Sequence, residues 1–265
     1  MKYNILVLLF FTAVLINNLN GQSVTLRQIG KKTVMFSTTN IEWFDRHLYT
    51  LDINKALYKT DLDSGIQTRL GNVTYNNTRY LFMVNGQLYC IENDGSMNRI
   101  DIFTGAWTMV SPIGTWKEID RVVVVGRKFY TTQNGALFYH PTMNERVKTQ
   151  IGEDEFQNLG VYFKTDSTLH SLFNDGSLFK INMTTGEWKR IGTKKGWKFA
   201  YEGAVIGNKF YTFEIPSSLY ETDLTTGTKK ELDNTQFKNT EFMFSDSGKL
   251  YAIFKGGILY EIVIK

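Results

Sequence analysis

The 265-residue chain contains one cysteine, three histidines and three prolines. A single cysteine excludes an internal disulfide, and the histidines do not share the spacing of a metal-ligand set. The 30 basic and 26 acidic residues give a formal net charge of +4, without the dense basic stripes typical of nucleic-acid binders. We therefore expect no metal, no cofactor and no nucleic-acid partner.

Only the N-terminus carries a long apolar run. Lys2 precedes a mainly apolar segment from Ile5 to Ile16, and the chain then turns polar up to Gly21. The run is too short for a membrane-spanning helix of about 20 residues, and this layout is typical of a secretory signal peptide. We expect residues 1–21 to be a cleaved signal peptide and residues 22–265 to be a single secreted, monomeric domain without a membrane span.

One dipeptide pattern recurs six times along the chain, at steps of 40 or 41 residues. The copies are Leu48-Tyr49, Leu88-Tyr89, Phe129-Tyr130, Leu169-His170, Phe210-Tyr211 and Leu250-Tyr251. A period near 40 built from strand-sized segments is typical of a β-propeller with one four-stranded blade per repeat. The sequence therefore predicts an all-β, six-bladed β-propeller.

The two ends of the sequence complement each other. The sixth repeat stops before its outer strand, while Ile29 lies 41 residues before Leu70, in phase with the outer strands of the other repeats. We expect residues 24–30 to pair with the strand near residues 259–264 and to complete the last blade. Such closure leaves no free sheet edge at the seam.

Turns of the form Asp-x-x-Thr-Gly follow the third strand of most repeats. They run from Asp61 to Gly65, Asp101 to Gly105, Asn182 to Gly186 and Asp223 to Gly227. The acidic or amide side chain can accept hydrogen bonds from nearby backbone N–H groups, and glycine permits positive φ. These residues therefore indicate turn chemistry rather than catalysis. Cys90 occupies a position that is a small residue in the other repeats, and His170 occupies a position that is tyrosine in the other repeats. We therefore expect both side chains to have a structural role inside their blades rather than to react.

One position in the connections between repeats is usually aromatic: Phe36, Asn76, Trp116, Phe156, Trp197 and Phe237. Amine and amide side chains follow it. A sugar ring needs this combination, because its C–H face stacks on an aromatic ring while its hydroxyls bond to polar groups. The candidate ligand-binding residues are Trp116, Lys117, Phe156, Asn158, Trp197, Lys198, Phe237 and Asn239. The alternative is that the aromatic side chains only wedge between adjacent blades.

Two segments resemble the repeat of tachylectin-2-type lectins. One segment runs from Gly196-Trp197 to Phe210-Tyr211, and the other runs from Phe237 to Gly248-Lys249-Leu250-Tyr251. Those repeats contain a Gly-Trp pair, an aromatic inner strand and a Gly-x-Leu-Tyr turn. That family is an invertebrate innate-immunity propeller that binds N-acetylated sugars between blades. The resemblance implies the same fold and a glycan partner with several sites.

The sequence thus favours a secreted, non-enzymatic binding protein that recognises carbohydrate. An extracellular scaffold for protein–protein interaction is the alternative, and a hydrolase acting at the channel mouth through Glu202 and Glu241 is a weaker one. No nucleophile–base spacing or phosphate-binding loop is visible. Three acceptor sequons also predict N-glycosylation, at Asn72, Asn76 and Asn182.

Overall fold

The computed structural model describes residues 22–30, 38–143, 145–153, 156, 159–164 and 168–265. The expected signal peptide, together with Phe36 and Asn158, lies outside these ranges. The described residues form β-strands and no α-helix. None of their elements is therefore a helix long and apolar enough to cross a membrane.

Twenty-four strands occur in the described ranges. They are β1 Val24–Ile29, β2 Thr38–Phe44, β3 His47–Asp52, β4 Ala56–Asp61, β5 Gln67–Thr74, β6 Thr78–Val84, β7 Gln87–Glu92, β8 Met97–Ile100, β9 Trp107–Ser111, β10 Arg121–Val125, β11 Lys128–Gln133, β12 Ala136–His140, β13 Thr149–Ile151, β14 Leu159–Lys164, β15 Leu169–Phe173, β16 Leu178–Ile181, β17 Trp188–Ile191, β18 Ala200–Ile206, β19 Lys209–Glu214, β20 Ser218–Asp223, β21 Lys229–Asp233, β22 Thr240–Asp246, β23 Lys249–Phe254 and β24 Ile258–Ile264.

These strands form six antiparallel four-stranded sheets, which are the six blades of a β-propeller. Blades 1 to 5 each take four consecutive strands, starting with β2–β5 and ending with β18–β21. Blade 6 has the order β1-β24-β23-β22, so its outer strand comes from the start of the chain. The predicted fold class and the predicted ring closure are both confirmed.

The closing strand pairs along its whole length. Val24 lies opposite Ile264 and Ile29 opposite Leu259. Backbone hydrogen bonds of 3.1 and 3.0 Å between Ser23 and Lys265 extend this pairing. The Arg27 guanidinium forms an ion pair with the Glu261 carboxylate across the same two strands. The first and last described segments therefore hold each other in place.

Both faces of the inner strands are buried between neighbouring blades. Leu81 and Met83 of β6 pack with Tyr49 of blade 1, whereas Phe82 stacks on Phe129 of blade 3 at 5.2 Å between ring centroids. A strand enclosed on two sides needs apolar residues at successive positions rather than at alternate ones. This arrangement explains the nearly continuous apolar runs of these strands in the sequence.

The Asp-x-x-Thr-Gly turns have the predicted chemistry. In blade 5, Asp223 Oδ1 accepts hydrogen bonds from the backbone N–H groups of Thr225 and Thr226 at 2.9 and 3.0 Å. Gly227 closes the turn with a φ of +73°, a value that costs glycine no strain. These carboxylates are occupied in shaping turns, in agreement with a structural role.

Candidate functional site

Backbone hydrogen bonds anchor several of the described connections between blades to the preceding blade. The backbone N–H groups of Trp116, Phe156 and Trp197 donate to the carbonyls of Gly95, Gly135 and Gly176 at 2.8, 2.8 and 2.9 Å. Those glycines lie in the turns between the second and third strands of their blades. The connections and these turns therefore share one side of the ring, which we call the connection face.

The four candidate aromatic side chains are buried. Trp116 and Phe237 have no exposed surface, Trp197 is 1% exposed and Phe156 is 4% exposed. A side chain that stacks on a sugar needs one ring face open to solvent. The expectation that these rings bind a ligand is not supported by their burial, which agrees instead with the alternative of packing between blades.

The contacts of these rings span the blade boundaries. Trp197 Nε1 donates to Thr222 Oγ1 of blade 5 at 3.0 Å, and Trp116 meets Phe129 of blade 3 edge-on at 5.5 Å. The Phe156 ring lies 4.7 Å from that of Trp188 in blade 4. Each ring thus extends from the connection into the following blade and fills the space between the two.

In the first described connection, Tyr75 takes the aromatic position. The sequence phase placed Asn76 there, but the Tyr75 N–H donates to Lys55 O at 2.9 Å, as Trp116 does to Gly95. Tyr75 is buried, and its hydroxyl donates to Gly105 O of blade 2 at 2.5 Å. Asn76 is exposed beside it. The aromatic residue therefore lies one position earlier than the repeat period predicts. This connection, too, has an aromatic ring packed between two blades.

The polar neighbours of the rings are exposed on the connection face. Lys117, Lys198 and Asn239 point away from the packed interior. The backbone is closely packed beneath the two lysines: a Cβ on Gly176 would lie 2.4 Å from Lys198 N, and a Cβ on Gly95 would lie 2.6 Å from Lys117 N. The structure therefore does not bring the described candidate residues together as a pocket of aromatic and polar groups. The three sequon asparagines are exposed, and their glycosylation remains a prediction.

The opposite side of the ring contains a wide depression of about 1980 Å³. Turns between the first and second strands line it, and one part extends into the cleft between blades 4 and 5. His170, Lys180 and Lys189 of blade 4 face Asn208 and the Thr225–Thr226 turn of blade 5 there. These residues were not among the sequence candidates, although the exchange of tyrosine for histidine at position 170 was visible.

A second feature that was not among the sequence candidates is an exposed apolar edge on blade 2. Trp107 and Met109 of β9 are 46% and 48% exposed, and Phe103 in the preceding turn is 79% exposed. β9 is the last strand of its sheet, so its outer backbone edge has no neighbouring strand within the blade. The available signal was the lack of any charged residue in the segment Trp107–Ser111.

Two glutamates, Glu202 and Glu241, were the sequence candidates for chemistry at the channel mouth. Burial raises the pKa of Glu202 to about 7, partly offset by a hydrogen bond from the backbone of Met243, while Glu241 is exposed at the rim. Within the described ranges, no group of three or more histidine, cysteine, aspartate or glutamate residues could hold a metal ion. Among the hydrogen bonds and ion pairs of the described residues, neither glutamate contacts a nucleophile or a second carboxylic acid.

Comparisons with known proteins support the fold class. No protein-family profile and no curated protein matches the chain. Among solved structures, PorZ of Porphyromonas gingivalis is 12% identical over 91% of this chain and 34% of its own, with a TM-score of 0.52. Virginiamycin B lyase from Staphylococcus aureus is 9% identical over 91% and 99%, with a TM-score of 0.56.

BamB from Moraxella catarrhalis is 14% identical over 84% of this chain and 68% of its own, with a TM-score of 0.47. At these identities the likeness concerns the fold alone. None of the three is a tachylectin-2-type lectin, so that resemblance remains a sequence-based expectation. The chain is a six-bladed β-propeller protein, and its specific function has to be argued from its surface.

Proposed function

We propose that this chain is an extracellular, non-enzymatic scaffold that binds an extended segment of a partner protein along the outer strand of blade 2. The observation that carries the proposal is the exposed, uncharged edge strand β9. An unpaired edge with apolar side chains is a template for pairing with another chain. Adding a strand to such an edge is a common mode of peptide recognition.

The other blades protect their outer edges with polar or charged side chains. Blade 1 exposes Thr68 and Arg69, blade 3 Thr149 and Gln150, and blade 4 Lys189 and Arg190. Charged side chains on edge strands prevent pairing between sheets. Blade 2 lacks this protection, since β9 exposes Trp107, Thr108, Met109 and Val110. This difference supports blade 2 as the binding edge.

The geometry of β9 defines the chemistry of the partner. Trp107 and Met109 lie opposite Ile100 and Asn98 of β8, on the same face of the sheet. Phe103 extends this apolar surface at the turn, where Lys59 Nζ lies 5.5 Å from its ring centroid. A partner strand that places apolar side chains at every second residue would cover this surface while its backbone bonds to the edge.

Three further considerations support an extracellular binding role. The N-terminal segment resembles a signal peptide, the channel glutamates have no catalytic companions among their contacts, and PorZ is by its title a bacterial surface component of a secretion system. Virginiamycin B lyase, named for an enzymatic activity, demonstrates that a similar fold also accommodates catalysis. Binding therefore has to be tested directly.

The test is selection of extended peptides from a display library on the secreted protein, followed by titration of the selected peptides. We expect peptides with alternating apolar residues whose affinity falls at least tenfold when Trp107 and Met109 are both replaced by lysine. Thr149→Lys, on the outer strand of blade 3, is the matched control and should leave affinity unchanged. Equal binding by the double variant and the wild type would contradict the proposal.

A glycan array separates this proposal from carbohydrate recognition. Because the candidate aromatic rings are buried, we expect no glycan to bind with an affinity that depends on Trp116, Phe156, Trp197 or Phe237. Saturable binding of a neutral sugar, unchanged in the Trp107→Lys, Met109→Lys variant, would favour the lectin alternative. Sedimentation velocity on the same samples would reveal whether β9 pairs instead with a second copy of this chain.

A further inference from the structure

One row of side chains crosses each blade on the face toward the following blade. In blade 5 it contains Tyr211, Glu221 and Lys230, which lie opposite one another in adjacent strands. The Glu221 carboxylate accepts a hydrogen bond from the Tyr211 hydroxyl at 3.0 Å and lies 3.2 Å from Lys209 Nζ. The central carboxylate thus balances the charge of Lys209.

Blade 6 repeats this arrangement. Its row contains Tyr251, Glu261 and Arg27, and Glu261 forms ion pairs with Arg27 and with Lys249, the latter at 3.8 Å. A tyrosine, a central glutamate and an outer cation therefore characterise the row in two successive blades.

Blades 1 and 2 also have a cation at the central position, but their outer residue is a threonine: Lys59 lies opposite Thr68, and Arg99 lies opposite Thr108. Blade 4 differs because its outer residue is a second cation. Its row contains His170, Lys180 and Lys189, so a lysine replaces the central glutamate and a histidine replaces the tyrosine. Directly opposite residues have Cβ atoms about 4.5–5.5 Å apart, and like charges there are destabilising. Neither lysine has an acidic partner within the described part of the chain. The row itself contains two cations and no carboxylate. Glu187 lines the same depression but forms no ion pair with either lysine within the described ranges.

His170 adds a buried group without a partner. It is 4% exposed, and its Nδ1 atom makes no hydrogen bond with any described residue. Burial, and secondarily the charge of Lys180, lower the pKa of His170 to about 4. The imidazole is therefore neutral at physiological pH and can donate one N–H without adding charge. A buried polar atom normally has a hydrogen-bond partner.

The opposite wall of the cleft offers further donors. Asn208 and Thr225 of blade 5 line the same depression as the three residues of blade 4. Asn208 Nδ2 donates to Thr225 Oγ1 at 2.9 Å, so the hydroxyl hydrogen of Thr225 can point into the cleft.

We propose that the cleft between blades 4 and 5 binds an oxyanion group, sulfate or phosphate, between the ammonium groups of Lys180 and Lys189. The bound group would replace the carboxylate that Glu221 and Glu261 provide in blades 5 and 6. Charge-assisted hydrogen bonds to lysine supply the affinity, and His170 and Thr225 provide neutral donors. The ligand is either the free inorganic ion or a sulfate or phosphate ester on a larger molecule such as a polysaccharide.

Isothermal titration calorimetry of the secreted protein with sodium sulfate, sodium phosphate and a heparin-derived oligosaccharide, at constant ionic strength, tests this site. We expect one saturable site, with affinity reduced at least tenfold by Lys180→Glu and by the milder Lys180→Gln. The glutamate variant should fold, because blades 5 and 6 carry glutamate at this position, and its thermal unfolding confirms this. Lys238→Glu is the control: it makes the same charge change on the connection face and should alter affinity less than twofold.

The three ligands distinguish the two sources of the anion. Binding of the inorganic ions identifies a site for a small anion, while binding of the oligosaccharide alone identifies an ester on a larger molecule. Equal losses in Lys180→Glu and Lys238→Glu would indicate general attraction to a basic surface and would overturn the proposal. Absence of saturable binding by all three ligands would do the same.

Discussion

Gly192 and Gly227 meet backbone to backbone across the boundary between blades 4 and 5. A Cβ atom on Gly227 would lie 2.3 Å from the Cα of Gly192. The same contact joins Gly30 to Gly65 and Gly152 to Gly186, each with a corresponding distance of 2.4 Å. The glycine of each such turn therefore allows the turn to touch the end of the preceding blade's outer strand, which sets the spacing of the blades.

This contact predicts that the loss of stability caused by a glycine-to-alanine substitution depends on the position of the glycine. Gly227→Ala should lower the free energy of unfolding by about 1–3 kcal/mol beyond the strain of positive φ, because the new methyl group overlaps the Gly192 backbone. Gly207→Ala is the matched control, since Gly207 also has positive φ but no atom within 4 Å of a Cβ. Urea denaturation measures both, and equal losses would refute the contact argument.

Trp197→Ala should behave as a packing mutation. Removing a buried tryptophan leaves a cavity between blades 4 and 5 and should cost about 3–5 kcal/mol. Trp197→Phe keeps most of the packing but loses the hydrogen bond to Thr222, so its cost should be clearly smaller. A Trp197→Ala variant that unfolds at the wild-type urea concentration would show that the ring does not support the blade boundary.

Ring closure predicts a strong dependence on the first described strand. A variant without residues 22–30, with residues 1–21 retained, exposes the outer edge of β24 and should aggregate, because an open edge pairs with other chains. Arg27→Ala keeps the strand and removes only an ion pair whose arginine is more than half exposed. We expect this control to remain monomeric in size-exclusion chromatography, and monomeric behaviour of the deletion variant would contradict the closure argument.

The raised pKa of Glu202 predicts a specific pH dependence of the free energy of unfolding. Its folded-state pKa of about 7 lies above the ordinary value of 4.5, so the folded state retains a proton that the unfolded state loses between these values. Stability should therefore fall as the pH rises from about 4.5 to 7. Glu202→Gln should remove this contribution, on the order of 2 kcal/mol. Urea denaturation at pH 5 and pH 8 measures it, and identical pH dependence in both proteins would refute the assignment.

Glycosylation of the secreted protein remains a prediction from the sequons. Asn182 is the preferred site, because it is exposed in a turn and its Oδ1 accepts the hydrogen bond from Thr184 N at 2.9 Å, while its Nδ2 atom carries the glycan in N-glycosylation. Peptide mapping of native material should find glycan on at least one of Asn72, Asn76 and Asn182. Three unmodified asparagines would contradict the expectation.

The sequence alone determined the number of blades, the closing role of the segment before Gly30 and the chemistry of the Asp-x-x-Thr-Gly turns. These features are periodic or local, so residue spacing is enough to reveal them. The role of Trp197 was different, because an aromatic ring beside a lysine has the same sequence pattern in a sugar site and in a blade boundary. Only the position of blade 5, which covers the ring and offers Thr222, shows that the ring packs at the blade boundary.

The tertiary structure also decided the features that depend on neighbouring strands. Tyr75 rather than Asn76 fills its blade boundary because backbone hydrogen bonds, not the repeat period, set the register of the connection. The pair Lys180 and Lys189 becomes visible only when these two residues, nine apart in sequence, are placed side by side on adjacent strands. Charge balance and burial are properties of atoms in contact, and the order of residues along the chain does not contain them directly.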